Sequence, residues 1–235
     1  MRCFNRKSLL SRKAFNPSPL WGRIGGGILL FILLFSCEDG HDDYRYPSVL
    51  TDYACLATDE RGEPSLLRLD SGAEFPIVLT DSYRKTHQST YRPDTVYRII
   101  SIYELGADDA AHIYSIAQIA SIVPTPLRKG EILKQDPVYL QSVWLSGGYM
   151  NMVLELKALS GKHRIGFVDT TPKEMRGKEF TLYHDAQGDI ESYRQKLHAS
   201  IPLTPFHADL QQGDTLRLVI NLYDKGISQW EFIME

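Results

Sequence analysis

From about Thr51 onward, apolar and polar residues alternate with a period of two along short stretches, which Gly, Pro, Asn or Asp residues separate. This period indicates strands that bury one face, whereas an amphipathic helix has a period of 3.6 residues. The alternation is clear where Met150, Met152 and Leu154 interleave with Asn151 and Val153. The chain from this point is therefore predicted to be all-β.

The first half contains five predicted strands. They cover residues 51–57, 65–69, 74–80, 95–105 and 112–123. Asp70-Ser71-Gly72-Ala73 predicts a tight hairpin turn, and residues 81–93 lack apolar periodicity, so they are predicted to form a loop or a short helix. Because five strands suit a small barrel of the OB type, we predict an OB-like β-barrel domain over residues 49–124.

Pro124, Pro126 and Asp136-Pro137 then interrupt the pattern, which predicts a linker over residues 125–137. Seven further strands follow it. They cover residues 138–145, 149–156, 163–168, 179–184, 193–201, 216–222 and 227–234. One buried face per strand and no convincing helix predict a seven-stranded antiparallel β-sandwich over residues 138–235.

The charge is distributed unevenly. Residues 1–36 hold six basic side chains and no acidic one, so residues 37–235 keep 20 basic against 29 acidic side chains, a net charge of −9 where the whole chain has −3. Nucleic-acid binding needs clustered Lys and Arg to neutralise phosphates, and a peripheral contact with anionic lipid needs basic residues too. The net negative charge of residues 37–235 therefore argues against both nucleic-acid binding and a peripheral contact with anionic lipid, and no nucleic-acid partner is predicted.

The basic leader ends in an apolar run, Ile28–Phe35. Its eight residues would span about 12 Å as a helix, far less than a bilayer core of about 30 Å, so residues 1–36 are predicted to be a signal peptide. Leu34-Phe35-Ser36-Cys37 resembles a bacterial lipobox, which implies lipidation of Cys37 and a membrane anchor. The alternative is a cleaved soluble-export signal that precedes a chance cysteine.

An acidic run, Glu38-Asp39-Gly40-His41-Asp42-Asp43, follows Cys37. It resembles the surface-export signal of certain Gram-negative anaerobes, which implies an outer-membrane lipoprotein displayed at the cell surface, with residues 37–48 as its tether. The alternative is a solvated tether on a periplasm-facing protein. With Cys3 in the leader and Cys37 lipidated, Cys55 stays alone, so no intramolecular disulfide is possible; in its apolar run, Cys55 is expected to be a small buried residue.

Sequence signatures of catalysis are absent. The chain contains no phosphate-binding glycine loop, no G-x-S-x-G and no H-E-x-x-H, and no catalytic residue, metal or cofactor is predicted. His184, Asp185 and Asp189 are competent cation ligands, although a polar loop at a strand end is the favoured interpretation. The run at His41–Asp43 is interpreted in the same way, as a tether. A Ser-His-Asp triad built from distant residues leaves no pattern in the sequence.

Tyrosine usage suggests a binding surface. All thirteen tyrosines lie beyond residue 43. Tyr83 and Tyr91, like Tyr44 and Tyr46, fall outside the predicted strand cores, where a solvent-facing ring can stack on a sugar or anchor a partner. Tyr149 and Tyr223 are predicted to point away from the apolar faces of their strands. The candidate ligand-contact residues are Tyr83, Tyr91, Tyr149 and Tyr223; the alternative is that tyrosine simply suits half-buried strands.

The segment Tyr139–Met152, with Gly147-Gly148-Tyr149-Met150-Asn151 at its centre, resembles the start of the C-terminal domain in NigD-like lipoproteins. Residues 163–168, 181–185 and 216–234 resemble later parts of that domain. The resemblance implies an N-terminal OB-type domain, a C-terminal β-sandwich and no defined catalytic residue. The family's name, which comes from a bacteriocin-associated gene cluster, suggests a role in immunity or secretion.

Three functions follow from the sequence. We expect a non-enzymatic, lipid-anchored envelope protein that binds a protein, a peptide or a glycan. The second hypothesis is a bacteriocin-associated immunity or protective lipoprotein, and the third is a hydrolase with an unrecognised site.

Overall fold

The structure, a computed structural model, describes residues 48–86 and 91–234. Its first five strands form a closed barrel in the order β1-β2-β3-β5-β4, where β4 returns to pair with β1. The strands are β1 (Leu50–Thr58), β2 (Pro64–Leu69), β3 (Glu74–Leu79), β4 (Val96–Leu105) and β5 (Ala111–Gln118). Strands β3 and β5 are parallel, and the other barrel pairs are antiparallel. The predicted five-stranded barrel is confirmed.

Alternating residues of these strands fill the barrel. Leu56, Leu67 and Ile99 have no exposed surface, and Tyr103 lies among them. Helix α1 (Asp81–Thr86) follows β3, in the segment where the sequence predicts a loop or a short helix. Among the described residues, no helix is long and apolar enough to cross a membrane.

The remaining strands form two four-stranded sheets that face each other, with orders β13-β12-β10-β9 and β6-β11-β8-β7. The strands are β6 (Ala120–Ser121), β7 (Tyr139–Ser146), β8 (Tyr149–Ala158), β9 (Arg164–Asp169), β10 (Gly177–Asp185), β11 (Tyr193–Pro202), β12 (Thr215–Leu222) and β13 (Gly226–Ile233). A 3₁₀ helix, Thr204–Phe206, follows β11. The two sheets enclose a core that includes Met152, Phe180 and Leu218, and the predicted all-β fold with a β-sandwich is confirmed.

Two details of the sandwich differ from the prediction. It contains parallel pairs, β10 with β12 and β6 with β11, beside the antiparallel ones. The single strand predicted over residues 112–123 is divided, because β5 ends in the barrel at Gln118 and β6 joins the sandwich two residues later. The described sandwich therefore has eight strands instead of the predicted seven. A continuous apolar run does not reveal this change of sheet, since both parts bury one face.

The segment 125–137, predicted as a linker, runs along the sandwich. Thr125 pairs with the outer edge of β9 at Val168, and Gln135 pairs with His184 at the end of β10. Val138 pairs with Leu222 on the side of β12 away from β13. Edge pairing therefore fixes this segment to the sandwich rather than leaving it as a free connection.

Candidate functional site at the barrel–sandwich junction

A buried positive charge lies where the barrel meets the sandwich. Arg98 belongs to β4, between Tyr97 and Ile99, and its side chain has 0% exposed surface. Both terminal nitrogens donate to the Asp70 carboxylate, with Nη2 at 2.7 Å from Oδ2. Burial disfavours the charged guanidinium, but the hydrogen bonds and charge of Asp70 outweigh it and raise the pKa of Arg98. The junction therefore contains a bidentate ion pair, which is a strong hydrogen-bonding geometry between Arg and a carboxylate.

Sandwich residues add hydrogen bonds to both members of this pair. Arg98 Nη2 also donates to Asn151 Oδ1 at 2.9 Å, and Ser146 Oγ donates to Asp70 Oδ2 at 2.5 Å. Asn151 in turn donates to Ser146 Oγ at 3.0 Å and accepts from Ser200 Oγ at 2.7 Å. We name these five residues, Asp70, Arg98, Ser146, Asn151 and Ser200, the junction cluster. Because two belong to the barrel and three to the sandwich, the cluster ties the domains together.

A glycine lets the sandwich turn approach the barrel turn. Gly147, between β7 and β8, has φ +58°, and a Cβ atom there would lie 2.3 Å from Asp70 Oδ1. Any side chain would therefore collide with the carboxylate that neutralises Arg98. The sequence Ser146-Gly147 supplies both the hydroxyl that binds Asp70 and the space for it.

Aromatic rings surround the ion pair. The Arg98 guanidinium carbon lies 4.2 Å from the centre of the Tyr149 ring, and Tyr53 meets Trp144 edge to face at 5.0 Å. The Tyr53 hydroxyl is 2.5 Å from Nδ1 of His198 on β11. Burial raises the pKa of Tyr149 to about 12, with a further contribution from Cys55. These rings exclude water from the charges, which strengthens the ion pair.

Cys55 also reaches the junction, where its Sγ lies 3.5 Å from the Tyr149 hydroxyl. The expectation that Cys55 is a small buried residue is wrong, because its side chain points outward from β1 toward the sandwich and stays half-buried.

Two clefts flank the junction cluster, and Ser146 lines both. The smaller, of about 240 Å³, is lined by barrel and sandwich residues that include Asp52, Tyr53, Asp70 and Trp144. The larger, of about 690 Å³, lies between the β7–β8 turn and the end of β13. It is lined by Leu145, Ser146, Gly148, Tyr149, Leu203, Glu231, Phe232, Ile233 and Met234. We name this larger space the β13 cleft; its volume is that of a small-ligand or side-chain pocket.

The hydroxyl of Ser146 is fully bonded. It donates to Asp70 and accepts from Asn151 and from Trp144 Nε1, the latter at 3.1 Å. His198 bonds to Tyr53 instead of to a serine, and burial lowers its pKa. The arrangement is that of a structural hydroxyl, since an activated serine would donate to a basic imidazole.

Two of the four candidate tyrosines are core residues. Tyr83 and Tyr91 are 4% and 6% exposed and pack in the barrel core, where their hydroxyls lie 3.2 Å apart. The expectation that their rings face solvent is wrong, because α1 and the segment before β4 fold over the barrel. Tyr44 and Tyr46 lie outside the described residues.

Tyr149 and Tyr223 occupy separate places. Tyr149 lines the β13 cleft, whereas Tyr223 stacks on Tyr139 at 4.8 Å and has Lys157 over its ring at 4.4 Å. Burial raises the pKa of Tyr223 to about 12, and Glu191 adds to the shift. The four tyrosines therefore do not form one surface.

The predicted polar residues His184 and Asp189 meet His163. His184 Nδ1 lies 2.8 Å from the Asp136 carbonyl, so it donates there, and its Nε2 accepts from His163 Nδ1 at 2.8 Å. His163 Nε2 faces Asp189 Oδ2 at 3.3 Å. Burial lowers the pKa of His184, and the neighbouring His163 adds to this shift.

The ring nitrogens of His163 and His184 therefore face groups of the protein itself. Among the described residues, no group of three or more His, Cys, Asp or Glu side chains is placed to hold a metal ion. Asp185 turns away toward Lys134. The candidate cation ligands His41, Asp42 and Asp43, and the predicted lipidation residue Cys37, lie outside the described residues.

Sequence reasoning missed Asp70, Arg98 and Asn151 as a unit. One signal was present: Arg98 interrupts the apolar first half of its strand, Val96–Ile100, and a buried Arg requires a carboxylate partner. The partner could not be chosen from the sequence, because Asp70 was one of many acidic turn residues.

Comparisons with known proteins agree with this architecture. The family described as the NigD-like C-terminal beta sandwich domain matches residues 119–234. A NigD-like immunity protein from Bacteroides caccae is 27% identical, with a TM-score of 0.63 over 82% of this chain and 100% of that chain. No curated protein is significantly similar in sequence.

Two further solved structures share the fold. A protein from Parabacteroides distasonis described as toxin-related is 19% identical, with a TM-score of 0.56 over 78% of this chain and 92% of its own. A Bacteroides fragilis protein described as a candidate lipoprotein is 10% identical, with a TM-score of 0.56 over 80% of this chain and 98% of its own.

Breaking the junction ion pair should destabilise the whole protein. We expect Arg98→Met to lower the free energy of unfolding by about 3–5 kcal/mol, because it leaves the Asp70 charge unpaired in a largely buried site. Urea denaturation measures the loss. Arg68→Met is the matched control: its exposed ion pair with Glu74 should contribute nothing measurable. An Arg98→Met protein as stable as the wild type would contradict the structural role of the pair.

Asp189 should make stability depend on acid pH. Burial alone would raise the pKa of Asp189, but hydrogen bonds from the backbone amides of Ser160, Leu159 and Ile190 hold it well below its usual range. A carboxyl group whose pKa is lower in the folded than in the unfolded state stabilises the folded protein. This stabilisation is present above the pKa of the unfolded state, about 3.9, and is lost as the pH falls from there toward the pKa of the folded state.

We therefore expect Asp189→Asn to be less stable than the wild type at pH 6, with the difference shrinking between pH 4 and pH 3. Urea midpoints across this range measure it, and Asp224→Asn, in the exposed β12–β13 turn, is the control. A difference that stays constant from pH 6 to pH 3 would contradict the role of the carboxylate.

Proposed function

Because the chain belongs to the NigD-like family through its C-terminal β-sandwich, we propose that it is a lipid-anchored envelope protein that binds a peptide segment of a partner protein and catalyses no reaction. The observation that carries this proposal is the β13 cleft, which opens beside a rigid junction cluster and beside the end of an edge strand.

The lining of the β13 cleft suits a peptide. Leu145, Leu203 and Phe232 provide an apolar wall for a side chain, while Glu231, whose Oε1 accepts from Arg217 Nε at 2.8 Å, adds a fixed charged group near it. Sites that combine a mostly apolar wall with a few fixed polar groups are typical of ligand pockets. Because β13 lines one side, its backbone also lies within reach of an extended chain.

A glycan is less well supported than a peptide. Sugars stack on a free aromatic face, but the Tyr149 ring faces the Arg98 guanidinium and Tyr223 stacks on Tyr139. Tyr83 and Tyr91 are buried. None of the four tyrosines therefore offers the open ring that stacking on a sugar requires.

The bonding of Ser146 supports binding rather than hydrolysis. Its hydroxyl proton is held by Asp70, and its lone pairs accept two further hydrogen bonds. Attack on a carbonyl would require these contacts to break and a base to take the proton.

The anchor belongs to the same proposal. Lipidation of Cys37 would hold the folded domains at the outer membrane, and the acidic run after it favours display at the cell surface over a periplasm-facing position. The Bacteroides fragilis protein that shares the fold, described as a candidate lipoprotein, supports an anchored form.

Immunity is the second candidate. One observation favours it: the Bacteroides caccae protein, whose whole length is covered by the match to this chain, is described as a NigD-like immunity protein. In that case the bound partner would be a toxin or bacteriocin, so the identity of the partner separates the two functions.

Removing the lipid site should release the protein. We expect Cys37→Ala to move the chain from the membrane fraction to the soluble fraction of lysed cells, because no acyl chain remains to anchor it. Cys55→Ala, which leaves the lipobox intact, should stay with the membranes. A Cys37→Ala protein that remains membrane-bound would contradict the lipid anchor, and protection of the wild type from external protease on whole cells would contradict surface display.

A photo-cross-linker in the β13 cleft should capture the partner. We expect p-benzoylphenylalanine at Phe232, which keeps the phenyl ring and extends it by a benzoyl group, to cross-link a second protein in irradiated cells, with the adduct identified by mass spectrometry. The same replacement of Phe75, a half-buried barrel residue, is the matched control. Equal adducts at both positions, or none at Phe232, would contradict the cleft as the binding site; a toxin in the adduct would favour immunity.

A further inference from the structure

Three of the four edges of the sandwich sheets are short, covered or irregular. Strand β6 has two residues, Thr125 covers β9, and a bulge between Leu140 and Ser142 interrupts β7. The fourth edge, β13, is eight residues long, pairs with β12 without a register shift and contains no proline or lysine. Proteins usually protect such an edge, because its unpaired backbone groups form a template for another strand. In the described part of the chain, nothing else pairs with β13.

The outward backbone groups of β13 belong to its odd-numbered residues. Met234 N donates to Asp214 O at 2.9 Å, and Met234 O accepts from Gly213 N at 2.8 Å, so Met234 faces β12. Because successive residues of a strand alternate, Ser228, Trp230 and Phe232 face β12 in the same way. Ile227, Gln229, Glu231 and Ile233 therefore present their N–H and C=O groups to the open edge.

The same four side chains are self-complementary about a two-fold axis at Trp230. In antiparallel pairing on that axis, Ile227 lies opposite Ile233 of the second copy, and Gln229 lies opposite its Glu231. Each contact occurs twice, and each joins residues whose backbone groups point to the open edge. Moving the axis to Glu231 would place this carboxylate opposite itself, and moving it to Gln229 would place Ile227 opposite Glu231. Pairing odd-numbered residues of one copy with even-numbered residues of the other would lose the hydrogen bonds between the two strands. It would also place the solvent-facing side chains of one strand beside the core-facing side chains of the other.

Exposure agrees with this register. Ile227 and Ile233 are 67% and 59% exposed, and pairing would place each against an isoleucine. The half-buried Trp230 ring packs on the sandwich core, and on the axis it would meet its own copy in a non-hydrogen-bonded pair, where side chains come closest.

We propose that β13 pairs antiparallel with β13 of a second copy of this chain, centred on Trp230, so that two four-stranded sheets join into one of eight strands. Gly226 of the second copy then lies opposite Met234. The β12–β13 turn of one copy therefore borders the β13 cleft of the other.

A symmetric disulfide tests the register. Trp230→Cys, in a full chain that also carries Cys55→Ala, should form a disulfide-linked dimer under mild oxidation in cells, because the axis places the two residue-230 Cα atoms within disulfide range. Gln229→Cys in the same background is the matched control. Its two copies lie about 8 Å apart in the proposed register, beyond the reach of a disulfide. Equal dimer from both variants, or none from Trp230→Cys, would overturn the proposal.

Charge exchange tests the pairing without changing the core, since Gln229 and Glu231 are exposed. Gln229→Glu places two like-charged pairs across the interface, and we expect the yield of Trp230→Cys dimer to fall about 2- to 30-fold. Gln229→Glu with Glu231→Gln exchanges the two residues and should restore the yield. If the exchange does not restore it, or if Gln229→Glu alone has no effect, the proposed register is wrong.

Discussion

A guanidinium without exposed surface must receive its neutralising charge and its hydrogen bonds from the protein, because water cannot supply them. Arg98 obtains them from Asp70 on its own barrel and from Asn151 on the sandwich. This requirement fixes the β2–β3 turn against the β7–β8 turn and leaves no room for a side chain at Gly147. Arg98 therefore joins the two domains, since either domain alone would leave part of its bonding incomplete.

The clefts follow from this junction. Ser146 bonds to Asp70 and lines both spaces, so the wall shared by the clefts is held by the ion pair. Tyr149 is fixed between the Arg98 charge and the β13 cleft in the same way. The proposed binding site, built on such a support, would change little when a partner arrives, and it would therefore lose little conformational entropy on binding.

The open edge and the cleft share β13. Residues Glu231–Met234 line the cleft through one end of the strand, while no other strand of residues 48–86 and 91–234 pairs with its outward groups. If two copies pair there, the cleft of each is bordered by the turn of the other. Self-association and partner binding would then be physically linked, because each changes the surroundings of the same strand end.

The sequence by itself determined which segments are strands, because a strand that buries one face must alternate in polarity wherever its partners lie. It thus predicted five barrel strands, seven sandwich strands and the NigD-like resemblance carried by residues 139–152. It did not determine that residues 112–123 change sheets, that Thr125 covers β9, or that Tyr83 and Tyr91 are buried. Nor did it pair Arg98 with Asp70. These features depend on contacts between residues far apart in the chain, and alternation, being local, contains no information about which distant group will complete a buried charge or cover a ring. Only the tertiary structure decided them.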